Sequence, residues 1–111
     1  HKGMGMTLYE LAKRDTSSSA QERQHTLKLA HDYLKIAISA NQRDAETNRY
    51  LVLVAKELKM YIQAMDYCRR AIRKVPPYEF KGASRQLNAA VQWFHTQLVE
   101  LKELTRSNRK T

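Results

Sequence analysis

LAHDYLKIAISA, residues 29–40, is echoed thirty-four residues later by IQAMDYCRRAIRK, residues 62–74: Ala30, Leu34 and Ala37 recur as Ala64, Cys68 and Ala71. Each copy places a small residue, a middle residue and a second small residue at helical spacing, with Tyr33 or Tyr67 just before the middle position. Small side chains at those spacings let a neighbouring backbone approach closely, as stacked helical hairpins require. A period of this length is that of a helix–turn–helix unit. It points to a protein that holds other molecules rather than one that transforms them.

Outward from this pair, local signals divide the chain into helices. Residues 4–13 predict a short helix with Leu8, Leu11 and Ala12 on one side, and Asp15 to Ser19 is a polar break. Ser19 and Glu22 form the S-x-x-E pattern of a capping box, opening a helix to about Ala40 whose stripe is Leu27, Ala30, Leu34, Ala37 and Ile38. Asp44 is the expected N-cap of a helix from Ala45 to Leu58. Its apolar residues cover most of the circumference, which predicts burial on two sides. After a tight turn at Lys59-Met60, a helix from Tyr61 to Lys74 turns Tyr61, Ala64, Met65, Cys68, Ala71, Ile72 and Val75 inward and Arg69, Arg70, Arg73 and Lys74 outward. Pro76-Pro77 ends it, because proline lacks an amide hydrogen and restricts the residue before it. Tyr78, Phe80 and Gly82 read as a linker packed on the body. Ser84 is the expected cap of a long last helix to about Arg106, with a seam of Leu87, Val91, Phe94, Leu98 and Leu101.

Residues 45–77 resemble a tetratricopeptide repeat. Leu51 matches the first-helix leucine, Tyr61 the aromatic after the turn, Ala64 and Ala71 the two small residues, and Pro76 the closing proline. Val52, Ala55 and Cys68 depart from the glycine, tyrosine and bulky aromatic of that pattern. The copy around Ala30, Leu34 and Ala37 lacks a first helix, because Thr16 to Ser19 interrupts the place where it belongs. The resemblance implies an all-α fold of tetratricopeptide-like antiparallel hairpins, about five helices with a long C-terminal one. A three-helix microtubule-interacting-and-trafficking domain is the weaker match, since at least four good helices are present. Such families bind peptides or helices of other proteins, and the first helix of the repeat lines their groove. Here that implies Glu46, Arg49, Leu53 and Lys56 as the partner-binding groove. The carboxylate clamp of chaperone-binding relatives needs successive repeats and is not expected.

Size and composition agree with a single helical domain, expected over residues 4–106: 111 residues with 3 Gly and 2 Pro. Because the sequence opens with His1, residues 1–3 are expected to be a leader foreign to the fold, and residues 107–111 a flexible basic tail. One Cys excludes an intrachain disulfide and favours a reducing, cytoplasmic or nuclear setting. No apolar run is long enough for membrane insertion. His25, His31 and His95 stand apart from any Cys or paired carboxylate, so no metal, cofactor or catalytic residue is expected. Cys68, on the inward face, reads as a packed thiol.

The net charge of +9 is uneven: residues 1–55 carry 8 basic and 6 acidic side chains, residues 56–111 carry 12 and 5. Arg69, Arg70, Arg73, Lys74, Lys81 and Arg85 form a candidate basic face for an acidic partner or nucleic acid. The plainer reading, a solvated surface complementing a helix C-terminus, is the favoured one. Exposed aromatics among these cations would favour nucleic acid. The last helix offers Trp93, Leu98, Leu101 and Leu104 as an interface for a partner helix or a second copy, or as a cover for Leu8 and Leu11. The function expected is a non-catalytic protein-interaction module, with nucleic-acid binding as the alternative.

Overall fold

The computed structural model describes residues 1–109, with side-chain surroundings through Ser107. Five helices and one small hairpin follow in order: α1 (Lys2–Arg14), α2 (Ala20–Ala40), α3 (Ala45–Glu57), α4 (Tyr61–Lys74), β1 (Tyr78–Lys81), β2 (Ser84–Leu87) and α5 (Ala89–Arg109). The fold is all-α with a long C-terminal helix. Each helix packs against the next; short connections join α1 to α4 in succession, and the hairpin segment joins α4 to α5.

The caps set these boundaries. Ser19 Oγ accepts the Glu22 amide at 3.1 Å at the start of α2. Asp44 caps α3 by accepting the Glu46 amide at 3.2 Å and the Thr47 hydroxyl at 2.6 Å. Such caps are worth about 1 kcal/mol each. α3 ends in a Schellman turn: the Met60 amide reaches Ala55 O at 2.8 Å and the Lys59 amide reaches Lys56 O at 3.0 Å. Lys59 therefore sits at φ 60°.

Two cores lie on adjoining sides of α3. One gathers Tyr9, Ala12, Leu27, Ala30, Leu34, Ile38, Leu51, Val54 and Leu58 from α1, α2 and α3. The other gathers Val52, Ala55, Ala64, Met65, Cys68, Ala71, Val91, Phe94 and Leu101 from α3, α4 and α5, with Val75 just beyond α4. The echoed positions Ala30, Leu34, Ala64, Cys68 and Ala71 are all fully buried. The first copy does have a partner helix, which lies upstream of the polar break. α1 packs along α2, so closely at Gly5 that an added Cβ would stand 2.6 Å from Leu34 Cγ.

Several expectations are corrected. Residues 2 and 3 belong to α1, and Lys2 Nζ lies 2.8 Å from Asp44 and 2.9 Å from Glu46. The stretch after Pro77 is a two-stranded hairpin with Tyr78 opposite Leu87 and Lys81 opposite Ser84. Gly82 at φ 63° supplies the positive φ that the first position of its two-residue turn demands. Ser84 lies in β2 and caps nothing. Asn88 does the capping, its Oδ1 accepting the Ala90 amide at 2.9 Å. Leu87 accordingly leaves the helical seam and is exposed. α5 continues to Arg109, into the expected tail; Lys110 and Thr111 lie outside the described residues.

Candidate partner-binding surfaces

Glu46, Arg49, Leu53 and Lys56 recur every three or four residues along α3, so they share one face. α1 and α5 flank that face, leaving a trough floored by α3. One cleft of about 380 Å³ is lined by Glu10, Glu46, Arg49, Tyr50, Leu53 and Ala90. A second, of about 450 Å³, lies among Tyr9, Lys13, Leu53, Lys56, Tyr61 and Leu104. All four groove residues are thus brought together.

They also tie the walls to the floor. Arg49 lies over the Trp93 ring at 5.1 Å. Lys56 Nζ donates to Gln97 Oε1 at 3.2 Å and to Glu100 Oε2 at 3.3 Å. On the other wall the Tyr50 hydroxyl donates to Glu10 at 3.1 Å, and its ring meets Tyr9 edge-on at 5.6 Å. Exposed ion pairs of this kind contribute at most about 1 kcal/mol each, so they orient the walls more than they stabilise them. Leu53, half-buried at the centre, is the apolar point on a floor of mixed charge.

The interface expected on α5 is mostly occupied internally. Leu101 is fully buried, and Trp93 and Leu98 are partly buried against the same core as α4. Spacing marks this seam as apolar but does not say which helix fills it; α4 does. α5 makes no close approach to α1, so the expected cover for Leu8 and Leu11 is not formed. Leu104 remains 36% exposed and Val99 63%, both along the trough's α5 edge.

The basic residues do not form one solvated face. Arg69 pairs with Asp66 at 3.2 Å, and Arg73 and Lys74 are exposed. Arg70 is the correction. Its guanidinium lies 5.3 Å from the Tyr67 ring centroid, and its Nε and Nη2 are buried without a partner among the described residues. Tyr67 in turn bonds His31 Nε2 of α2 at 2.7 Å, and Arg70 as a whole is half-buried. His31 was invisible as a core residue, because one polar side chain gives no periodic signal. Burial, helped by Lys35, holds its imidazole below the ordinary value. Burial also pushes the Cys68 thiol up to about 12, which suppresses the nucleophilic thiolate.

Lys81 and Arg85 lie on the hairpin, where Lys81 pairs with Glu79 at 3.6 Å and Arg85 stacks on Tyr78 at 4.2 Å. Tyr78 and Phe80 do not pack the segment onto the body: they are 46% and 78% exposed.

Comparison with protein-family models, curated proteins and solved structures returns no match. Among the described residues no group of three His, Cys, Asp or Glu is placed to hold a metal, and no helix is long and apolar enough to cross a membrane.

Proposed function

We propose that the chain is a non-catalytic protein-interaction module whose trough receives a peptide or helix of a partner. The observation that carries this is the convergence of Glu46, Arg49, Leu53 and Lys56 on a floor walled by α1 and α5. Such a channel suits a short segment with an apolar anchor over Leu53 and charged flanks, a helix-in-groove or extended-peptide mode. The buried small residues of the 34-residue echo, and its two hairpins, favour a tetratricopeptide-like unit. A concave face built from alternate helices is the surface such units use. Apolar contact at Leu53 supplies affinity, while Arg49 and Lys56 set orientation and encounter rate.

Displayed peptides selected on the intact chain test this, with counter-selection on a Leu53→Asp/Arg49→Glu double variant. Enriched sequences are expected to carry an apolar anchor beside acidic residues and to lose at least tenfold in affinity for the variant, roughly 1.4 kcal/mol. Peptides that bind both proteins equally, or no enrichment after repeated rounds, remove the trough as the site.

A further inference from the structure

The hairpin at residues 78–87 plays no part in the trough and contributes to neither core. Among the described residues the backbone of its strands approaches no helix closely, so it stands off the body as an arm. A lone two-stranded hairpin is marginal in water, and a simple connector has no use for exposed aromatics. Phe80 nevertheless shows 78% of its surface, with Tyr78 and Leu87 nearly half exposed.

Strand alternation sets Tyr78 and Phe80 on one face. The register of Tyr78 against Leu87 and Phe80 against Arg85 brings Arg85 and Leu87 to the same face. The Arg85 guanidinium lies flat enough on Tyr78 to sit 4.2 Å from its ring centroid. One side of the arm is therefore a short row of planar groups. Between Arg73 and Leu87 there are four cations, Arg73, Lys74, Lys81 and Arg85, against the single carboxylate of Glu79. That carboxylate is paired to Lys81.

We propose that this arm binds single-stranded nucleic acid. Two or three bases stack on Tyr78, Phe80 and Arg85, and the exposed Arg73 and Lys74 at the base of the arm neutralise phosphates. Rings interleaved with cations are the combination that sequence-tolerant strand binding uses. A four-residue strand spans about 13 Å, enough for that many bases. Paired bases offer no free ring faces, so a duplex is the poorer ligand. An anionic membrane fits less well, because Arg85 lies within the apolar face and would be carried into hydrocarbon. An acidic peptide would satisfy the charges and leave Phe80 without a pocket to fill.

Fluorescence anisotropy of a labelled oligouridylate of about twelve nucleotides, against the matching duplex, at about 50 and about 200 mM salt, tests the assignment. The proteins are wild type, Phe80→Ala, Phe80→Trp and Arg73→Ala/Lys74→Ala. The single strand is expected to bind at least tenfold more tightly than the duplex. Phe80→Ala should weaken it roughly tenfold, and Phe80→Trp should retain it. The charge variant should lower the salt slope by about 1 to 2. Helical circular dichroism is expected to match wild type in the Phe80 variants, because Phe80 belongs to neither core, and in the charge variant, because Arg73 and Lys74 are exposed in the last turn of α4. No binding at the lower salt, equal affinity for the duplex, or unchanged affinity in Phe80→Ala each overturns the proposal. So does a Phe80→Ala loss confined to phosphatidylserine vesicles or poly-glutamate.

Discussion

His31 is 8% exposed in α2, with Nε2 2.7 Å from the Tyr67 hydroxyl of α4. Burial lowers its pKa first, and the Lys35 cation acts in the same direction against the weaker pull of Asp32. Arg70, stacked on Tyr67, adds a further cation to this corner. The Tyr67 hydroxyl can bond the ring in either protonation state, but a charged ring is half-desolvated and meets positive neighbours. The sign follows: a base held below its ordinary value near 6.5 contributes stability that is complete above that value and shrinks as pH falls through it. Urea midpoints are expected to fall from about pH 7.5 to about pH 5.5, and to fall less in His31→Gln. Equal pH slopes in the two proteins contradict this assignment. Asp44, also lowered, acts in a separate window below about pH 4: burial raises its pKa, but bonds from Lys2, Thr47 and the Glu46 amide outweigh that.

Between α3 and α4 the chain turns through Lys59 at φ 60°. A side chain in the left-handed region is strained by roughly 1–2 kcal/mol, and the Schellman geometry there is one glycine adopts freely. Lys59→Gly is expected to raise stability by about 1 kcal/mol, measured as a higher urea midpoint with unchanged slope. A loss instead means that the lysine makes a compensating contact in the trough. This turn was legible in the sequence, as were α2, α3 and α4, because Ser19, Asp44 and Pro76 act on their own neighbours. The grouping of Glu46, Arg49, Leu53 and Lys56 comes from the resemblance to a tetratricopeptide repeat; helical spacing places them on one face of α3 but does not say that the face stays open. The hairpin was not read, although Tyr-Glu-Phe-Lys alternates and Gly82 heads a two-residue turn. Its second strand, Ser-Arg-Gln-Leu, has no apolar face, and Ser84 competes as a helix cap with Asn88. The filling of the α5 seam depends on helices distant in sequence, which spacing cannot supply.

At the scale of the molecule, α3 contributes fully buried residues to both cores. Leu51, Val54 and Leu58 face α1 and α2, while Val52 and Ala55 face α4 and α5. Met60 and Tyr67 pack against both clusters. A half that lost its neighbour would expose one side of α3 and give up the contacts that Met60 and Tyr67 make with both clusters, so the two cores are expected to unfold together. Trp93 offers a local probe of the C-terminal core, where it packs edge-on against Phe94 at 5.2 Å. Leu34, fully buried beside Gly5, belongs to the other. Unfolding followed by Trp93 fluorescence and by helical circular dichroism is expected to give one midpoint. Leu34→Ala should lower both signals together by about 2–5 kcal/mol, although no part of Trp93's core has changed. A Trp93 transition that stays in place while the circular dichroism splits in two would mean that α3 does not couple the halves. The trough, whose floor is α3, would then open whenever either half unfolds.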